Sequence, residues 1–292
     1  MKANVAELLY QRIIKLSIIL FSGMCLYPLF YILVLSFTKE REWVEKNGIV
    51  LLPADPTFNA YITIITKSPL FFNAFFISVL RVVIGSTLIV AFTLVMGYVT
   101  SRKGLPGKKI MLIMVLVTIL FPGGLIPTYL VIKELGLMNK FPVYFIPSLV
   151  DGFGVLVFKQ FFSNIPAEIE ESAQMDGVSE FSMLIKIIIP MSTAVIATWV
   201  LFTAVGQWNS WFDALVYIRN SKLMPLQLII YNLFQESLGF SFNQSILNPV
   251  SRVSSLTLKM ATTVLGIIPI LCIYPFLQKY FVTGVYTGSV KG

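Results

Sequence analysis

Six stretches of this chain are apolar almost without interruption, at roughly 13–36, 75–99, 110–132, 142–162, 184–206 and 258–279, and polar connections separate them. A helix needs about 20 mostly apolar residues to cross a bilayer, so each stretch predicts one membrane span. Six spans place both termini on the same side. The short connection Ser101-Arg-Lys-Gly-Leu-Pro-Gly-Lys-Lys109 carries four basic residues and no acid. The positive-inside rule puts it in the cytoplasm, together with both termini and the 163–183 connection. The longer connections 37–74 and 207–257 then face outside. In the first of these, Lys39, Arg41, Lys46 and Lys67 are nearly balanced by Glu40, Glu42, Glu45 and Asp55. The second is rich in Trp208, Asn209, Trp211, Asn232, Asn243 and Asn248, and an external loop of that length is usually functional or disordered.

Proline and glycine interrupt the spans at Pro28, Gly85, Pro122-Gly123-Gly124, Pro127, Pro147, Pro190, Pro269 and Pro275. Each reads as a kink that neighbouring helices can satisfy. Their density in the third and sixth spans points to a bundle that moves or lines a path rather than an inert anchor.

Composition supports an all-α membrane protein. Of the 292 residues 57% are hydrophobic and only 12% charged, against about a quarter charged in soluble domains. The net charge of +8 is scattered among apolar runs rather than gathered in a stripe, which argues against nucleic acid as a partner. Lys2, Arg12 and Lys15 precede the first run as in a signal peptide, but that run is too long and lacks a small-residue cleavage pattern, so it is read as an uncleaved span. Cys25 and Cys272 lie in apolar stretches without ligand spacing, and the chain has no histidine, so no metal site is expected. A phosphate loop is also missing, since Gly104 to Lys108 has the wrong spacing and no Ser or Thr after the lysine. With no Gly-x-Ser-x-Gly elbow either, the residues predict no enzyme and no cofactor bound by this chain.

The most informative segment is Pro166-Ala-Glu-Ile-Glu-Glu-Ser-Ala-Gln-Met-Asp-Gly177, leading to Ile187-Ile-Ile-Pro190. Pro166 suits the start of a helix, and Glu168, Glu170 and Glu171 sit near the positive end of its dipole. Ile169, Ala173 and Gly177 recur at i, i+4 and i+8, which predicts a narrow face of small residues open to a partner's side chains. Gly177 can turn the chain, so that 178–186 forms a second arm entering the fifth span near Pro190. Read from the residues alone, the segment is either a docking surface for another protein or a solvated loop.

The same residues resemble the EAA loop of ATP-binding-cassette (ABC) importer permeases: Glu-Ala-Ala, three residues, Gly, nine residues, Ile-x-Leu-Pro. Glu171, Ala173, Gly177, Ile187 and Pro190 stand in register, with Ser172 and Ile189 as conservative departures. Phe58-Asn-Ala-Tyr61, Gly123-Gly-Leu-Ile-Pro-Thr-Tyr129, Leu135-Gly-Leu-Met-Asn139, Trp208-Asn-Ser-Trp211, Tyr274-Pro-Phe-Leu-Gln-Lys-Tyr-Phe281 and the tail 284–292 extend the resemblance to the carbohydrate, maltose-permease-like class and its complex-oligosaccharide branch. The resemblance implies a single type I permease domain over 1–292, with six transmembrane helices and a coupling helix in 163–183. It implies that Glu168, Glu171, Ala173, Asp176, Gly177, Ile187 and Pro190 couple to an ATPase. The expected partners are a second homologous permease in a heterodimer, two ATP-binding subunits carrying ATP and Mg, an external solute-binding protein and membrane lipid. The expected location is the bacterial inner membrane.

The expected cargo is an oligo- or polysaccharide, acidic ones such as alginate or pectin fragments included. Asp151, Trp208, Asn209, Trp211 and Asp213 are candidates for the substrate path. For Asp151, lining the path and pairing structurally are both open, because an ionisable residue inside a span needs an explanation. Arg81 and Lys159 are expected to snorkel to the membrane surfaces. Trp199, Trp208, Trp211 and Phe212 either stack on sugar rings or anchor at the interface. Acidic cargo favours a basic outer vestibule, but Arg219, Lys222 and Arg252 stand among Asp213 and Glu236. A permease for a non-sugar solute and a secondary transporter are the alternatives. The second of these calls for inverted repeats and paired intramembrane charges, which the sequence lacks.

Overall fold

The computed structural model describes residues 5–237 and 256–289, and every regular element among them is helical. In chain order these are α1 (Val5–Phe37), α2 (Glu40–Glu45), α3 (Asn59–Lys67), α4 (Pro69–Ser101), α5 (Lys108–Leu120), α6 (Leu125–Glu134), α7 (Gly152–Ser163) and α8 (Ala167–Met175). They continue as α9 (Glu180–Met191), α10 (Thr193–Asn209), α11 (Phe212–Tyr217), α12 (Leu226–Ser237) and α13 (Leu256–Ser289). Lys2, Asn243, Asn248, Arg252 and residues 290–292 lie outside the described residues, as do the side chains of Glu236 and of 274–289.

The chain divides into two compact units. The first comprises 1–69 and 232–268. Its α1 is apolar on all sides, with Leu16, Ile19, Phe21 and Met24 exposed, as expected of a helix solvated by lipid or a neighbouring subunit. The end of α1 is fastened by Val34, Leu35 and Val50, packed with Trp43, Leu256 and Met260. Ser36 and Tyr61 share a hydrogen bond of 2.7 Å, and Thr257 donates to the carbonyl of Thr38 at 2.6 Å.

The second unit, 70–231 and 269–292, holds the candidate sites. Two glycines bring α4 and α7 together. A Cβ at Gly97 would lie 2.5 Å from the Cβ of Phe158, and one at Gly154 would lie 2.6 Å from Trp199 Nε1 and 2.7 Å from Thr93 Cγ2. Small residues permit close backbone approach where lipid offers no hydrophobic drive between helices. Where α4, α7, α9 and α10 meet, they close over Leu94, Tyr98, Phe158, Met183, Ile188 and Trp199.

Among the described residues, only α1, α4 and α13 are long apolar rods. The third, fourth and fifth expected spans are bent, which corrects their reading as single helices. Between α5 and α6 the chain turns by 118° at Phe121–Gly124. There Gly124 has φ 84° and ψ 171°, a region essentially confined to glycine. The fourth stretch is two 3₁₀ turns, Phe141–Tyr144 and Ile146–Ser148, bent by 52° against α7. In the fifth, α9 meets α10 at 85° across Ser192. Pro190 has no N–H to give to the helical ladder, and the backbone just before it widens into a π turn over Leu184–Ile188. The described part of the 207–257 connection is also more ordered than an external loop, since α11, the turn Ser221–Leu223 and α12 occupy much of it.

Candidate functional site

The acidic segment forms α8, with Glu168 and Glu170 in its first turn. The helix stops in a Schellman motif: Val178 N–H donates to Ala173 O at 3.0 Å, Gly177 N–H donates to Gln174 O at 3.0 Å, and Gly177 adopts φ 73°. No atom lies within 4 Å of a Cβ built on Gly177, so its substitution is opposed by backbone conformation rather than by crowding. The turn and the second arm fall where the sequence placed them.

The face divides. Ala173 is only 6% exposed and packs into the chain's own core with Met183 and Leu184, while Ile169 and Glu170 are half-buried. Of the small-residue stripe, Ala173 is thus taken up by the seat of α8 on this subunit, whereas Gly177 stays open. Glu168, Glu171, Ser172 and Met175 recur at i, i+3, i+4 and i+7 and are exposed, Met175 by 89%. Asp176, Gly177 and Pro190 are also exposed, whereas Ile187 is half-buried against the core.

A second fastening escaped sequence reasoning. Arg102, at the end of α4, is ion-paired with Glu170 of α8 and, at 2.8 Å, with Glu180 of α9. Tyr98 donates its hydroxyl to Glu180 at 2.7 Å, and the Arg102 guanidinium lies 5.3 Å from the centre of its ring. The Glu180 carboxyl is held below its ordinary pKa, chiefly by the Tyr98 hydroxyl and further by Arg102, with partial burial opposing. The tie is therefore complete above the usual carboxylate range and weakens as pH falls below it. Opposite charges on two connections expected to share one membrane face were the available signal.

The path candidates part company. Arg81 does not snorkel: it is 1% exposed and fully committed. Its Nε donates to Gln207 at 2.7 Å, its Nη1 to Ser210 O at 3.2 Å and to Asp213 at 3.0 Å, Nη2 makes the second bond of a bidentate pair with Asp213, and the ring of Tyr144 lies 4.4 Å away. Asp213 is thus engaged inside the protein, where it also accepts from Ser210 at 3.1 Å. Trp208 is buried against Phe75, Trp211 stacks on Tyr231 at 4.0 Å, and Asn209 is exposed. Lys159 is half-buried. Asp151 caps α7, accepting from the N–H groups of Phe153 and Gly154 at 3.2 and 3.3 Å, and its own N–H donates to Thr93 at 3.0 Å. It also lines a cleft of about 820 Å³ that sequence reasoning did not assemble, together with Ser148, Phe153, Trp199, Thr203 and Gln207.

Broken apolar helices around a partly polar cleft, with an acidic helix braced beside a basic connection, define a multi-pass membrane transport subunit. No protein-family model matches the chain. It is 34% identical over 284 residues to the polygalacturonan/rhamnogalacturonan transport system permease protein YtcP of Bacillus subtilis, covering 97% of this chain and 99% of the relative. To protein LplC of the same organism it is 36% identical over 286 residues, 96% of each. Among solved structures, a bacterial ABC transporter involved in the import of the acidic polysaccharide alginate contains a chain of similar fold. The TM-score is 0.86 at 26% identity, covering 96% of this chain and 99% of that one. The chain belongs to the permease subunits of carbohydrate ABC importers. It is a membrane component of such a transporter, and membership sets aside both the secondary transporter and the non-sugar permease.

Proposed function

We propose that this chain forms half of the translocation path of an ABC importer for oligo- or polysaccharides and receives motion from an ATPase through α8. The observation that carries this reading is the two-sided character of α8: one side is bound into the permease by Ala173 and Arg102, and the other presents Glu168, Glu171, Ser172 and Met175. A helix held in this way passes a push on its outer face into α9 and, across the bend at Ser192, into α10. A second permease completes the path, most simply as a heterodimer. Two ATP-binding subunits carry ATP and Mg, and an external binding protein delivers cargo. Both termini and α8 lie on the cytoplasmic side of the inner membrane. The named cargo of YtcP and of the alginate transporter supports a long saccharide, acidic chains among the possibilities.

Deletion of 171–177, or Gly177→Asp, is expected to abolish both ATPase association and saccharide uptake while membrane insertion survives. Co-purification of the ATPase with the tagged permease, alongside uptake in cells, checks this. A variant that retains both ATPase and transport contradicts the reading.

A further inference from the structure

We infer that the cleft beside Asp151 is a saccharide subsite for an uncharged sugar ring, and that Asp151 sets its preference against uronate rings. The inference rests on the transport reading above and deepens it. At about 820 Å³, the cleft falls within the ordinary range of small-molecule sites, about 300–1,000 Å³. Its lining combines flat aromatic surface with neutral hydrogen-bonding groups. Phe153 and Phe202 are 60% and 55% exposed, and Trp199 lies between them with ring centres 5.9 and 6.3 Å away. The hydroxyls of Ser148 and Thr203 and the amide of Gln207 join them in the lining. A pyranose presents the matching chemistry, an apolar C–H face with hydroxyls around its edge.

Charge narrows the class. Among the described residues, Asp151 is the one ionisable residue in the lining, and no lysine or arginine joins it. The Arg81 guanidinium is bonded to Gln207 but is already matched by Asp213. The N-terminus of α7 would otherwise attract an anion, but the Asp151 carboxylate already accepts from its first free N–H groups. A uronate carboxylate entering here therefore finds no cation among the described lining residues and no open helix end, and it meets a like charge. A neutral ring meets a carboxylate with lone pairs left to accept its hydroxyls. A mixed saccharide with neutral and acidic units would place a neutral unit here.

The test uses the assembled importer in nanodiscs without its external binding protein, so that selection upstream does not mask selection in the membrane. Binding of a neutral galactose trisaccharide and of trigalacturonate is followed by quenching of tryptophan emission. The wild type should bind the neutral probe about tenfold more tightly, the discrimination expected of one like-charge contact at this scale. Asp151→Asn keeps the cap, since asparagine caps as well as aspartate. It should tighten trigalacturonate several-fold and, with one acceptor oxygen replaced by an amide donor, weaken the neutral probe, so that the preference ratio falls towards one. Should that variant assemble poorly, Thr203→Lys adds a cation to the same cleft and is expected to shift preference in the same direction. Equal affinities in the wild type, or a preference ratio that neither variant moves, overturns the assignment. If neither probe binds, the subsite is refuted; the transport reading falls only if the complete importer, with its binding protein, also takes up no saccharide.

Discussion

Asp213→Ala is expected to cost the second unit about 3–5 kcal/mol, because it strands a buried guanidinium. Arg81 has two carboxylate contacts on Asp213, and its remaining partners, the Gln207 amide, the Ser210 carbonyl and the Tyr144 ring, are all neutral. An arginine that is 1% exposed cannot recover water without opening the structure. The expected result is a marked fall in folded permease in the membrane and a lower melting temperature in detergent. The companion variant separates charge from packing. Removing both charges with Arg81→Met and Asp213→Leu should restore most of the loss, because a buried ion pair is often replaceable by apolar groups of similar volume. Wild-type abundance and melting temperature for Asp213→Ala would show that the pair does not hold the unit together.

Arg102→Gln is expected to uncouple rather than unfold. The guanidinium holds Glu170 on α8 and Glu180 on α9 with different nitrogens, so it clamps the two helices on either side of the Gly177 turn. The Glu180 contact is a charge-assisted hydrogen bond, a kind that contributes about 1.5–3 kcal/mol, and exposure of Glu180 puts it at the low end or below; the Glu170 contact is an ion pair. Ala173, Met183 and Leu184 remain packed, so α8 stays folded but is less rigidly joined to α4. Uptake should fall about tenfold while ATPase association and basal ATP hydrolysis persist. Arg102→Lys keeps the charge but not the two-pronged geometry and should give an intermediate value. A proportional loss of ATPase association and uptake would mean that Arg102 acts only by stabilising the fold.

Much of the architecture was legible because membrane solvation writes it into composition. The rods α1, α4 and α13 follow directly from apolar runs, and Gly177 announces its own turn. Hydropathy measures what a segment is made of, not the direction in which it runs. The bends at Phe121–Gly124, before Asp151 and at Ser192 were therefore visible only as a scatter of Pro, Gly and Ser. Pro122-Gly123-Gly124 was the strongest sign, and its effect proved larger than a kink.

The sites were harder to read for a different reason. Arg81 and Asp213 lie 132 positions apart, and Arg102 and Glu180 lie 78 apart, so nothing local pairs them. Helical spacing groups Ile169 with Ala173 but cannot tell which side of α8 meets the parent subunit. The complementary stripe of Glu168, Glu171, Ser172 and Met175 held the answer: three of its four members are polar, and the fourth is a flexible thioether suited to a partner surface. Asp151 caps α7 through the N–H groups of Phe153 and Gly154 and also lines a cleft, an arrangement that its place in an apolar run did not announce.

The most direct test of this two-sided helix is site-specific disulfide cross-linking between α8 and the ATPase in the assembled importer, with Cys25 and Cys272 replaced by serine. Met175→Cys is expected to cross-link to a cysteine series in the ATPase groove that receives it, and Ala173→Cys is expected to give none. Cross-linking through Ala173→Cys with none through Met175→Cys would place the partner on the opposite face and contradict the account.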